Sequence, residues 1–232
     1  MKTRLTRNMN DETVDFFMEE KRVALGQNKE VRLNDESGAG IFLSVVSDGE
    51  TLLSLPVDYP SAGYGGGSLL LSPSGSYLLF SYYSGQSEEA FSLYRIVGDR
   101  LEAAFESPYE YGEAASYGFS DDESLLVQGL PACCTLWEWE DYMEDGLAEM
   151  DENGETFFCF GYINILDIEK KELGRHLVRV YPPEGARGFG SEVYDPLMSP
   201  KMTAPGVLRV TMPWGDETLD LPLEGTVRFN LV

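Results

Sequence analysis

The residues best placed to do chemistry or recognition lie in one acidic, aromatic stretch, Thr135 to Glu155, TLWEWEDYMEDGLAEMDENGE. It holds nine carboxylates, Glu138, Glu140, Asp141, Glu144, Asp145, Glu149, Asp151, Glu152 and Glu155, with Trp137, Trp139, Tyr142, Met143 and Met150 among them. Carboxylates at this density can bind a cation, form acid and base pairs, or set up an electrostatic field. Asp151-Glu152-Asn153-Gly154-Glu155 is rich in oxygen ligands, but it lacks the alternating carboxylates and terminal glutamate spacing of a calcium loop. Acid and base pairs are defined by their separation, and a chain with 40 acids contains many pairs by count alone. The field is the specific feature. From Leu101 to Glu169 there is no lysine or arginine, while Glu102, Glu106, Glu110, Glu113, Asp121, Asp122, Glu123, Asp167 and Glu169 add to the nine, in a chain of net charge -23.

A field of that sign repels nucleic acid and anionic membranes and steers basic proteins inward. Aromatic side chains inside an acidic rim suit a docking patch for a cationic surface. Trp137, Glu138, Trp139, Glu140, Asp141, Tyr142, Glu144 and Asp145 are therefore the candidate partner-binding residues. The plainer alternative is a solvated loop whose acids keep the protein soluble, with both tryptophans folded back onto the core. A salt-adapted protein would spread acids over every surface, whereas residues 1 to 32 carry seven basic side chains against six acidic.

Other chemistry is poorly served. The single histidine, His176, sits in the strand-like HLVRVY, and there is no GxSxG elbow for a serine nucleophile, so it reads as an ordinary strand-end residue. Cys133, Cys134 and Cys159 are odd in number and the first two are adjacent, which is a poor disulfide framework; with one histidine they also make a poor zinc set. Cys133-Cys134 lacks both CxxC spacing and a basic neighbour that would activate a thiol. The glycine-rich PSAGYGGG at 60 to 67 has no GKS or GKT and no following helix, so it reads as a connector and not a phosphate loop. The sequence thus predicts no cofactor, no metal and no catalytic residues.

The elements that must position the acidic stretch are strands. Ser68 to Glu106 reads as a four-stranded meander: Leu69 to Leu71, a Ser72-Pro73-Ser74-Gly75 turn, Tyr77 to Tyr83, a turn at Gly85-Gln86-Ser87, Ala90 to Ile96, and Leu101 to Phe105 after Gly98-Asp99. Ile41 to Leu55 reads as a hairpin around Asp48-Gly49. Ser120-Asp-Asp-Glu-Ser124-Leu-Leu-Val aligns with Ser72-Pro-Ser-Gly-Ser76-Tyr-Leu-Leu at a spacing of 48 residues, which is an internal repeat. An insert from Pro131 to Gly154 interrupts the second copy, which resumes at Thr156 to Ile168 and ends in His176 to Tyr181. A third copy follows: Leu197 to Pro200, Val207 to Met212, Thr218 to Leu221 and Thr226 to Leu231. Residues 10 to 25, NDETVDFFMEEKRVAL, read as the one helix, capped by Asn10 or Asp11, with Val14, Phe17, Met18 and Leu25 as its stripe and Gly26 beyond its end.

Leu71-Ser-Pro-Ser-Gly-Ser-Tyr-Leu-Leu79 resembles the SPDG-x-x-L turn of WD40-like and TolB-like β-propeller blades, and Asn164-Ile-Leu-Asp-Ile168 lies where such a blade carries its third strand. Gly-His and Trp-Asp pairs are missing, and the usual Asp-Gly of the turn is Ser74-Gly75 in one copy and Asp122-Glu123 in the other. The resemblance implies an all-β fold, a small or incomplete β-propeller-like stack of about four antiparallel meanders with one N-terminal helix; a β-sandwich is the alternative. A meander exposes two apolar faces, and stacking such units buries both. At 232 residues the chain can form a single domain.

No run of about 18 apolar residues exists, and the basic N-terminus is followed by Asn-Asp-Glu where a signal peptide needs its apolar segment, so a cytoplasmic protein with no membrane span is expected. Two function classes remain. One is a non-enzymatic acidic module that binds a basic protein, such as an immunity protein that neutralises a toxin domain; the other is an enzyme of unknown reaction on a propeller scaffold. In a reducing compartment all three cysteines are expected as free thiols, so dithiothreitol should leave the thermal midpoint unchanged. A drop of about 5 °C or more would reveal a structural disulfide.

Overall fold

A computed structural model describes residues 2–9, 12–19, 21–26, 28–35, 41–57, 67–83, 88–107, 110–111, 116–130, 139–154, 156–179, 198–204, 207–211, 218–222 and 228–230. The chain groups into two compact units, Met1–Glu110 and Tyr111–Val232. The fold is all-β, built from antiparallel meanders, with one short helix among the described residues.

The first unit begins with a hairpin of β1 (Lys2–Met9) and β2 (Glu12–Glu19), paired from Lys2↔Glu19 to Met9↔Glu12. Next come β3 (Lys21–Gly26), β4 (Lys29–Asp35), β5 (Ile41–Ser47) and β6 (Glu50–Pro56), four neighbours in sequence order. The helix expected at 10 to 25 is therefore replaced by two strands. Thr13, Val14, Phe16 and Phe17 are β-branched or aromatic and suit extended chain better than helix. Gly26 does adopt positive φ (87°), but it ends a strand and not a helix. Strand β4 was not anticipated at all. Asp48-Gly49 forms the expected tight reversal, with φ of 50° and 86° between the partners Ser47 and Glu50.

The second sheet contains β7 (Gly67–Leu71), β8 (Tyr77–Tyr83), β9 (Glu88–Val97) and β10 (Arg100–Glu106), with the two-residue β11 (Glu110–Tyr111) also pairing with β9. Here the meander read from the sequence is present strand for strand. One face of each sheet meets the other in a core of Val31, Leu33, Leu43, Val45, Leu78, Phe80 and Leu101. Leu79, Phe91 and Leu93 on the opposite face of β8 and β9 are also fully buried. A strand buried on both faces carries apolar residues at adjacent positions, as Leu78-Leu79-Phe80 does in β8.

The second unit holds β12 (Ser116–Phe119), β13 (Leu125–Leu130), helix α1 (Trp139–Glu144), the hairpin β14 (Ala148–Met150) and β15 (Thr156–Phe158), then β16 (Phe160–Asp167) and β17 (Glu172–Arg179). It ends with β18 (Met198–Ala204), β19 (Val207–Thr211), β20 (Thr218–Pro222) and β21 (Arg228–Asn230). Its main sheet runs β12-β13-β16-β17-β21, and β18-β19-β20 form a three-stranded sheet. The run 156 to 168 is two strands, broken at Cys159, whose N–H donates 2.8 Å to the Leu147 carbonyl. The third copy also departs from expectation. Its last strand, β21, pairs with β17 and not with β20, and Pro200 lies inside β18, where the register shifts between Met198 and Lys201. Proline cannot donate to a ladder, so an irregular register is where a strand tolerates it.

The repeat is visible at atomic detail in its turns. Ser72 Oγ accepts the Tyr77 N–H at 3.0 Å, and Ser120 Oγ accepts the Leu125 N–H at 3.0 Å. Gly75 and Glu123 both donate 2.9 Å to the carbonyls of these serines, and both hold positive φ, 76° and 56°. Asp122 stands where the first copy has Ser74, and its Oδ1 accepts from Ser120 Oγ (2.7 Å), the Ser124 N–H (3.1 Å) and Ser124 Oγ (2.8 Å). These bonds, the Ser120 hydroxyl first, hold its carboxyl well below the usual carboxylate range, at about 2. The turns also fix the third strand: Ile96 N–H donates to Ser76 O (2.8 Å) and Ile168 N–H to Ser124 O (3.0 Å). The offset is 48 residues at the turn and 72 at these isoleucines, and the difference, 24, is the length of 131 to 154.

Because the folded pKa of Asp122 is depressed, its stabilising contribution is present above the unfolded value of about 4 and is lost as pH falls toward 2. The stability difference between the wild type and Asp122→Asn should therefore shrink across that window in thermal melts. Ser72→Ala and Ser120→Ala, each orphaning an N–H beneath a buried serine, should each cost about 1 to 3 kcal/mol by denaturant titration.

Candidate functional site

The acidic stretch connects β13 to β16, two adjacent interior strands of the second unit's main sheet. Residues 131 to 138, including Cys133, Cys134, Trp137 and Glu138, lie outside the described residues. Trp139 and Glu140 open α1, which places them in the helix but gives no description of their side chains. Asp141, Glu144 and Asp145 are exposed, as are Met143, Glu149 and Glu152.

Six residues make only a marginal helix, so its ends and its packing must hold it. Gly146, at φ 64°, ends it: the Gly146 N–H donates to Met143 O at 3.1 Å and the Leu147 N–H to Tyr142 O at 2.8 Å, a left-handed cap that satisfies the last carbonyls. Leu147, just past the cap, and Tyr142, in the last turn, share one apolar cluster with Phe160, Tyr162 and Leu177. Tyr142 stacks on Phe160 with centroids 5.4 Å apart, and Phe160 meets Tyr162 edge to face at 5.3 Å. The Arg175 guanidinium carbon lies 5.0 Å from the centroid of the Tyr162 ring. The insert is thus seated on the sheet by its own apolar side chains. Tyr142, read from the sequence as a partner contact, is half-buried as an anchor.

The oxygen-rich Asp151 segment is the turn of the β14-β15 hairpin. Asp151 accepts from the Asn153 N–H (2.8 Å) and Asn153 Nδ2 (3.3 Å), and Gly154 takes φ 82°. Among the described residues no group of three His, Cys, Asp or Glu side chains could hold a metal ion. Cys159 is a free thiol and fully buried. His176 lies in the middle of β17, opposite Ile163 and Arg228 and 4% exposed, so it is a core residue and not the strand-end residue expected. No helix among the described residues is long and apolar enough to cross a membrane.

Sequence reasoning missed a polar row across the same sheet. Arg175 Nε donates to Asn164 Oδ1 (3.1 Å), Asn164 Nδ2 to Gln128 Oε1 (2.9 Å), and Gln128 Nε2 to the Tyr117 hydroxyl (3.1 Å). Asn164 is fully buried and Gln128 is 2% exposed. The available signal was the repeat itself: the equivalent row of the first sheet is Leu69, Phe80 and Ser92.

No protein-family model matches the chain, and no curated protein matches it. Among solved structures, Kuenenia stuttgartiensis hydrazine synthase is similar at 12% identity and TM-score 0.44, over 85% of this chain and 50% of that one. The chain spans about half the length of that protein's chain, and a likeness of this size carries no argument.

Removing the anchor should loosen α1 alone. Tyr142→Ala is expected to cost about 1 to 3 kcal/mol of local stability, so amides of 141 to 147 should exchange about tenfold or more faster, with β7 to β10 unaffected in hydrogen exchange.

Proposed function

We propose that this chain is a non-enzymatic, acidic protein-binding module whose docking surface is the insert between β13 and β16. The observation that carries the reading is how α1 is mounted. Tyr142 and Leu147 fasten a helix too short to stand alone, while Asp141, Met143, Glu144 and Asp145 face solvent from it. A solvated loop has no need of an anchored scaffold, whereas a recognition surface gains from preorganisation because less freedom is lost on binding. Exposed acids around an apolar Met143 suit a basic partner, steered in by charge and retained by apolar contact.

The partner in this reading is a basic protein, such as a toxin domain, with the chain acting as an inhibitor of the immunity-protein kind inside the cell. Charge and size support that role. The blades resembling WD40-like and TolB-like repeats, stacked in propeller fashion, would serve as scaffold, and folds of that kind host binding and catalysis alike.

Salt should slow association steeply, because the steering field is screened over a Debye length of about 8 to 10 Å. Surface-binding kinetics with the partner captured from the native host should show that neutralising Glu140, Asp141, Glu144 and Asp145 together mainly lowers the association rate. Trp137→Ala or Trp139→Ala should instead speed dissociation, with about 2 kcal/mol or more lost if the ring is an anchor. Binding that is indifferent to both salt and these substitutions would overturn the reading.

A further inference from the structure

The insert opens the β13-β16 connection at one end of the pair, while at the other end the Ser124 carbonyl still takes the Ile168 N–H. In the first sheet Tyr82 and Ala90 are partners across seven intervening residues, and so short a connection closes in few registers. In the second sheet their equivalents Leu130 and Tyr162 are partners across 31. Closure entropy changes slowly with length, so a connection this long barely distinguishes the native register from one slipped by a residue or two. A slip of β13 by one would exchange the faces of its buried Leu126 and Val127 against an unmoved β16. Since both faces are apolar, hydrophobic burial alone penalises that slip weakly.

We propose that the polar row Tyr117, Gln128, Asn164 and Arg175 is a register lock that takes the place of the lost turn, with Gln128 and Asn164 as its positioning residues. The row follows the ladder itself, because Tyr117↔Gln128, Gln128↔Asn164 and Asn164↔Arg175 are direct cross-strand partners. Each bond needs the next side chain at that position alone. Shifted by one residue, Gln128 would face Ile163 or Ile165; shifted by two, Tyr162 or Leu166. Two amides would then be buried without their partners, a heavy penalty inside a core. Buried polar pairs that specify register at some expense in stability are well attested in other folds. The polar row, moreover, occurs in the sheet whose hairpin is opened, and the sheet with the short connection has Leu69, Phe80 and Ser92 in its place.

The lock also positions the insert. Arg175, its last member, lies over Tyr162, and Tyr162 abuts the Phe160 ring that receives Tyr142 of α1. Only this bearing on docking rests on the proposed function; the lock does not.

The test is Gln128→Leu with Asn164→Leu in the full chain, followed by amide NMR and hydrogen exchange. The expected result is more than one set of resonances for β13, β16 and α1, or at least a tenfold loss of protection there, with β7 to β10 unchanged. One set of resonances with wild-type protection in β13 and β16 would overturn the proposal, as would a uniform loss of protection across both sheets with a single set. Should the double variant fail to fold, Asn164→Ser, which installs the residue of the equivalent Ser92, is read by the same outcomes. Partner binding is measured separately on the acidic substitutions of α1, so failure of the docking reading leaves this result standing.

Discussion

Register is the constraint on which the other features depend. In β8, β9, β13 and β16 side chains on both faces are buried, so a strand can slide without exposing an obviously wrong surface. Local devices answer that weakness. The hydroxyls of Ser72 and Ser120 each reach five residues along the chain to pin the start of the next strand, and the following Ser76 and Ser124 carbonyls each take an N–H from the third strand. One turn therefore ties three strands together. At the other end of the second sheet, where 24 inserted residues lengthen the β13-β16 connection, hydrogen-bonded side chains cross the strands.

The charge distribution obeys a separate logic. A net charge of -23 repels itself and opposes compaction, and most of the described acids stay exposed while Glu123 is buried in its turn. Asp122 is also held by local hydrogen bonds to Ser120 and Ser124, at the position of Ser74 in the first copy. Asp141 and Glu144 on α1 are exposed, and the helix that carries them is held from below by Tyr142 and Leu147.

Features whose causes are local are legible in the residues alone. Asp48-Gly49 supplies positive φ at two adjacent positions, the serine turns repeat at 48 residues, and the alternation and aromatic content of Ser68 to Glu106 specify a meander; each was legible because neighbouring residues carry the whole signal. The acidic aromatic insert and its length were legible for the same reason. Tertiary structure decided the rest. Residues 10 to 25 satisfied a helical stripe and a cap, yet β2 and β3 form because pairing with β1 and β4 satisfies their backbone groups. Helix α1 escaped because six residues are too few to show a period, and its stability comes from Phe160, distant in sequence. The division of Tyr142 from Asp141, Glu144 and Asp145 into anchor and exposed face, the addition of β21 to β17, and the row from Tyr117 to Arg175 all depend on which strands become neighbours. No stretch of sequence encodes that alone, since each partner's contribution has meaning only once the other is in place.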